Sequence, residues 1–173
     1  IALTDLNGDG RPDILVGNDF DRPDYSWVRT DDGWQARDFF DAMSTNTMSY
    51  DVGDVNNDGS AEILATDMMP YRYDEETMEA WEPLMDLMAH PPEGDPQIMA
   101  NVLQGRDAQG RFTDFAKGSA LAATGWSWSS KFGDLNNDGF LDVYAVNGMI
   151  ADGMFDHLPN DELVEENQAL RND

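Results

Sequence analysis

Three stretches of this chain share one arrangement of oxygen-bearing side chains: DLNGDGRPD at 5–13, DVNNDGSAE at 54–62 and DLNNDGFLD at 134–142. Each places a carboxylate or amide at loop positions 1, 3, 5 and 9, with Gly at position 6. A tight loop with that spacing can wrap a hard cation, and Ca²⁺ accepts about six to eight oxygen ligands at roughly 2.3–2.6 Å in irregular geometry. The side-chain ligands assigned on this pattern are Asp5, Asn7, Asp9 and Asp13, then Asp54, Asn56, Asp58 and Glu62, then Asp134, Asn136, Asp138 and Asp142. Position 7 holds Arg11, Ser60 or Phe140. It would offer only its backbone carbonyl, so its side chain can vary. Gly10, Gly59 and Gly139 let the backbone turn where a Cβ would clash. The expectation is about three Ca²⁺, one per loop. Mg²⁺ fits less well, because it demands tighter octahedral geometry and keeps its waters. An Asx-rich turn without metal is the alternative, but three unpaired carboxylates per loop would repel one another.

The elements that hold these loops follow from their flanks. An EF-hand loop closes with a Glu at position 12 between two helices, whereas position 12 here is Val16, Ala65 or Ala145. The residues that follow, ILVGND, ILATDM and VYAVNG, are short and β-rich. Each loop therefore joins two strands. A second strand pair with a Gly turn appears in DYSWVRTDDGWQARDF (24–39) and in IMANVLQGRDAQGRFTDF (98–115). The loops begin at Asp5, Asp54 and Asp134, separations of 49 and 80. The two separations reconcile if a unit of about 50 residues carries an insertion at about 70–97, which holds five of the eight prolines. Four short antiparallel strands per unit predict an all-β chain of β-propeller blades with a short helical insertion. The expected blades are 1–43 (starting inside its first strand), 44–116 with the insertion, and 117–173, incomplete and with a helical tail at about 160–170.

The loop and its Gly-Asp lead-in, seen in VGDVNNDG and FGDLNNDG, resemble the FG-GAP or VCBS repeat, which also forms the calcium-bearing blades of the integrin α-subunit propeller. The phrases NDFDRPDY, TGWSWSSKFGDLNNDGFLDVYAVNG and LVEENQALRND look closer still to bacterial VCBS-repeat proteins of the ASPIC/UnbV and cartilage-acidic-protein group. The resemblance implies calcium loops and a propeller of seven blades, of which three units would be a portion, since isolated blades cannot bury a sufficient core. Glu62 departs from the usual Asp at its position, which makes the second site looser or differently coordinated.

Composition bounds the partners. The net charge is −25, and nine of the 35 acidic residues sit in the three loops. A phosphate-binding surface needs clustered Lys and Arg, so nucleic acid is not an expected partner. The chain has no Cys, hence no disulfide, thiolate metal site or cysteine nucleophile. No apolar run approaches the ~18 residues of a membrane span. Calcium loops in an acidic, cysteine-free chain point to a bacterial protein that is extracellular, cell-surface or periplasmic.

Strand alternation puts the metal loops and the Gly turns (Asp31–Gly33, Asp107–Gly110) on one rim and the longer connections on the other. Long loops on a rigid scaffold are where binding tends to sit. The partner, a protein or a glycan, is therefore expected opposite structural calcium, with Asp19, Asp21, Arg22, Asp24 and Trp81 as candidate contacts. Met78, Trp81, Met85 and Met88 have helical spacing, behind the acidic start Asp74, Glu75 and Glu76; Pro83 should break or kink that helix. The stripe either meets a partner or packs on the propeller. Alternation puts Trp126 and Trp128 on one face of a strand. His90 and His157 have no ligand-spaced partners, and no HExxH, GxSxG or phosphate loop is present. The leading expectation is a non-enzymatic binding or adhesion module. Its alternatives are a polysaccharide lyase or hydrolase, with Asp19, Asp21, Asp41 and Asp152 as candidate carboxylates, and an architectural subunit of a surface assembly.

Overall fold

The computed structural model describes residues 1–19, 22–72, 74–86, 94–148 and 166–173. Its strands gather into three antiparallel sheets. The first runs in chain order through β1 (Ala2–Thr4), β2 (Asp13–Val16), β3 (Tyr25–Thr30) and β4 (Gly33–Ala36). The second contains β6 (Ser49–Gly53), β7 (Glu62–Thr66), β9 (Val102–Arg106) and β10 (Phe112–Asp114). The third contains β11 (Ser127–Gly133), β12 (Asp142–Asn147) and β13 (Gln168–Leu170). Two further short strands, β5 (Met43–Ser44) and β8 (Gln97–Ile98), pair in parallel.

Each metal-loop candidate joins the first two strands of a sheet, and the register closes on the loop: Thr4 faces Asp13, Gly53 faces Glu62, and Gly133 faces Asp142. The central strand β7 is buried along its whole length, whereas β4, at an edge, is exposed throughout. Between the first and second sheets, Leu6, Leu15, Ile63 and Phe112 form a core that Phe39 and Phe40 cover. Phe40 and Phe112 have ring centroids 5.0 Å apart. Gly17 lets Thr47 and Tyr50 come against the end of the first sheet, since a Cβ there would lie 2.4 Å from Thr47 Cγ2 and 3.0 Å from the Tyr50 ring. Between the second and third sheets, Leu64, Leu103, Ala116, Leu121 and Val143 form a second core. A cavity of about 100 Å³ remains beside it, lined by Val55, Phe132, Leu141 and Leu170 among others.

The insertion leaves the second sheet after β7 and returns before β9. Its helix, α1 (Glu75–Met85), starts where the Asp74 carboxylate accepts the Thr77 N–H at 2.9 Å, an N-cap, with Glu75 and Glu76 in the first turn. Pro83 lies inside the last turn and does not break the helix, which ends two residues later. A proline so near the C-terminus removes a single intrahelical bond.

Trp81 is 1% exposed and stacks on Trp126 with centroids 5.8 Å apart. A buried Trp removes roughly 150–250 Å² from water, about 4–6 kcal/mol as an upper estimate. That burial fixes α1 against the sheets. It also corrects the expectation that Trp81 is a partner contact, because the indole is out of reach of a partner here. Trp126 and Trp128 do not share a face as strict alternation requires. A register shift between Ser127 and Ser129 separates them, leaving Trp126 8% and Trp128 37% exposed. The end of the tail is likewise strand rather than helix, since β13 pairs with β12 from Val143↔Leu170 to Ala145↔Gln168. Met88, His90, Asp152, His157 and the start of the expected tail helix lie outside the described residues.

Candidate functional site: three Asp-Asn-Asp loops and the opposite rim

The three loops share one inner set of hydrogen bonds. The position-1 carboxylate takes the N–H of position 5 on Oδ1 and that of position 6 on Oδ2: Asp5 at 3.1 and 2.7 Å, Asp54 at 3.0 and 2.9 Å, Asp134 at 3.0 and 3.0 Å. The Asn at position 3 accepts the position-5 N–H on Oδ1 and donates Nδ2 to the position-5 carboxylate, in Asn7, Asn56 and Asn136 alike. Oδ1 of Asp9, Asp58 and Asp138 accepts the N–H of position 7. The turn needs two left-handed residues. Gly10, Gly59 and Gly139 have φ of 78°, 87° and 91°, and position 4 is Gly8, Asn57 or Asn137 at 78°, 59° and 63°. Gly and Asn are the residues that enter this region most readily.

At the base of each loop the position-9 carboxylate is buried: Asp13 is 0%, Glu62 5% and Asp142 2% exposed. Each accepts the position-2 N–H at 2.9 Å, from Leu6, Val55 and Leu135. The second oxygen of Asp13 accepts the Arg29 N–H and that of Asp142 the Asn172 N–H, both at 2.8 Å. In Glu62 the second oxygen only reaches Asn56 Nδ2, at 3.5 Å. The longer side chain at this position thus makes the second loop differ from the other two.

Electrostatics sort the loops further. Burial raises the Glu62 carboxyl above its ordinary value, its bond from Val55 opposes this, and the negative charges of Asp58 and Asp54 push it further up. The Arg11 side chain holds Asp9 low. Asp138 is lowered by its backbone bond from Phe140 and by Asn136. The first loop meets a Gly turn on this rim, Arg11 Nη1 reaching Asp31 Oδ1 at 2.9 Å, and the second and third loops meet each other, Asn57 Nδ2 donating to the Gly139 carbonyl at 3.1 Å.

The donor set of each loop is oxygen only, with a buried carboxylate below and two carboxylates at the lip, which suits a hard cation. Among the described residues, however, no three acidic, His or Cys side chains are gathered around one centre as a metal cage would hold them. The carboxylates are turned instead to N–H groups and to Asn. Each accepting oxygen has a second lone pair, so the chemistry of the set fits Ca²⁺ while its closure around an ion needs side-chain movement.

The opposite rim carries a second repeated device that spacing of acidic residues did not reveal. Thirteen positions after each loop's first Asp stand Asn18, Asp67 and Asn147, and immediately before each third strand stand Asp24, Asn101 and Asn167. In every repeat the N–H of the former donates to Oδ1 of the latter: 2.8 Å for Asn18–Asp24, 2.7 Å for Asp67–Asn101, 3.0 Å for Asn147–Asn167. Carbonyls of the same positions accept from the next unit, Asn18 from the Thr47 N–H and Asp67 from the Ser127 N–H. Side chains complete the link, Thr47 Oγ1 donating to Asp24 and Asn101 Nδ2 to Thr124. The recurring Asx at these two positions was a readable signal, hidden because it becomes periodic only once the strands are aligned.

Asp67 is the charged member of the first trio and is fully buried. Its carboxylate accepts from Ser44 Oγ, the Thr45 and Asn46 N–H groups, Asn46 Nδ2 and the Met68 N–H. Burial pushes it up to about 6, against the pull of those bonds. Asp24 is 7% exposed and also raised by burial, opposed by bonds from Tyr50, Thr47 and Asn18. The partner-contact expectation for Asp24 is therefore corrected, since its carboxylate is spent inside the fold. Asp19, Arg22 and Asp41 are exposed, and the Arg22 carbonyl accepts from Gln97 Nε2 at 3.5 Å. Asp21 lies outside the described residues.

Repeated antiparallel sheets, each opening on the same loop, define a propeller-type repeat module. The chain belongs to the FG-GAP-like repeat family, whose model matches residues 5–65 and 85–145. No curated protein matches the chain. No helix among the described residues is long and apolar enough to cross a membrane.

Proposed function

We propose that this chain is a calcium-stabilised binding module, extracellular or in the cell envelope, that presents the rim opposite its metal loops to a protein or glycan. The observation that carries this reading is the identity of the three loops: the same side-chain oxygens, the same two left-handed positions and the same buried carboxylate recur at Asp5–Asp13, Asp54–Glu62 and Asp134–Asp142. A turn that needed only hydrogen bonds would not require a buried acid beneath two further acids in each copy. Bound Ca²⁺ would neutralise these carboxylates, and Asp5, Asn7, Asp9, Asp13 and their counterparts would hold it. The chain's own part is to fix the hairpin between first and second strands, which stiffens the sheet that carries the opposite connections. The role is binding rather than catalysis, with the exposed Asp19 and Arg22 among the surface available to a partner.

Calcium-dependent melting with a count of bound metal tests the reading. Asp58→Ala and Asp138→Ala should each abolish one bound ion and lower the melting temperature in calcium. Equal melting in calcium and in chelator, with no ion retained, would refute it.

A further inference from the structure

The three loops differ in charge at position 7, which the ligand scheme uses only through its backbone carbonyl. In the second and third loops it is Ser60 and Phe140, both uncharged. In the first it is Arg11, and its guanidinium does not point away into solvent. Nε and Nη2 lie 3.2 and 2.9 Å from Asp9 Oδ2, and Nη1 lies 2.9 Å from Asp31 Oδ1. Asp31 belongs to the turn between β3 and β4, so a separate element steadies the arginine from its far side. Two donors on one carboxylate oxygen place a fixed positive charge against a lip carboxylate of the loop.

We propose that Arg11 is a built-in counter-cation of the first loop, so that this loop takes calcium last and only when the guanidinium is displaced from Asp9. The inference rests on the calcium reading above and sets the order in which the sites fill. The third loop has a weaker competitor: Arg171 Nη2 stands 3.8 Å from Asp138 Oδ2, while its Nε is engaged with Asp173 at 2.6 Å. In the second loop Asp58 accepts from Asn56 and from the Ser60 N–H, both neutral donors. The consequence is a protein whose first loop carries its own counter-charge at the lip, and whose second and third loops have the more open carboxylates for calcium.

The test is a calcium titration of the metal-free protein, counting ions, on the parent and on Arg11→Ser. The arginine is partly exposed (42% for its side chain), so the change leaves the fold intact. The parent should show two tighter sites and one roughly two- to fivefold weaker, the scale of an exposed charge-assisted pair. Arg11→Ser should bring the weak site, that of the first loop, level with the others. In chelator the variant should melt below the parent, and in saturating calcium this difference should vanish. Three equal sites in the parent, or a titration unchanged by Arg11→Ser, would overturn the proposal while leaving the calcium reading in place. Binding of no calcium by either protein would overturn both.

Discussion

Asp67 is a fully buried carboxylate facing five donors, at a repeat position where the other two units have Asn18 and Asn147. Burial disfavours its charge and the five bonds favour it; burial wins, lifting the group from 3.8 to about 6. Each tenfold change in proton affinity is ~1.36 kcal/mol, so the rise corresponds to about 3 kcal/mol. The native state then binds the proton more tightly than the unfolded chain over the range between these two values. Stability from this group is therefore largest at low pH and is lost as pH rises through about 6. Asp67→Asn removes the titration. It also carries a constant penalty, since an amide nitrogen would face N–H groups of Thr45 and Asn46. That penalty cancels in the pH dependence.

The parent's unfolding free energy minus that of Asp67→Asn should thus fall by about 2–2.5 kcal/mol between roughly pH 4 and pH 7.5, the remainder of the ~3 kcal/mol lying below about pH 4. Urea unfolding in chelator at fixed ionic strength measures it. A difference that stays flat, or that grows with pH, would show that the five donors prevail over burial and would refute the argument.

Two further outcomes follow from the packing between units. Asn101→Leu leaves the Asp67 N–H and the Leu121 carbonyl without their bonds from the Asn101 side chain. Unpaired buried groups cost about 1–3 kcal/mol each, so urea unfolding should show a loss of about 2–6 kcal/mol with little change in calcium binding. Gly17→Ala drives a Cβ to 2.4 Å from Thr47 Cγ2 and 2.9 Å from Thr47 Cβ. Overpacking of this kind costs roughly 1–3 kcal/mol, and adding Thr47→Ser should return part of it in a double-mutant cycle on thermal melting.

The loops, the strands around them and the repeat of sheets were legible in the sequence because each depends on residues close together in the chain. Asp at position 1, Asn at position 3 and Gly at position 6 meet within one turn, and alternation needs only a few residues to declare a strand. The place of the insertion was legible for the same reason, as proline and acidic residues interrupt the pattern between β7 and β9. What tertiary structure alone decided involves partners distant in sequence. Whether Trp81 meets a partner or packs on the sheets is open until Trp126, from another unit, covers it. Asp24 is a candidate contact in an acidic loop until Thr47 and Tyr50 close on it. Arg11 reads as an indifferent side chain until Asp31, twenty residues on, draws it across the mouth of the loop. A residue's type and spacing determine what it can bond to, but burial and competition are set by whichever segments the fold brings alongside. In this chain those segments come from a neighbouring unit for Trp81 and Asp24, and from another turn of the same unit for Arg11, rather than from neighbouring residues.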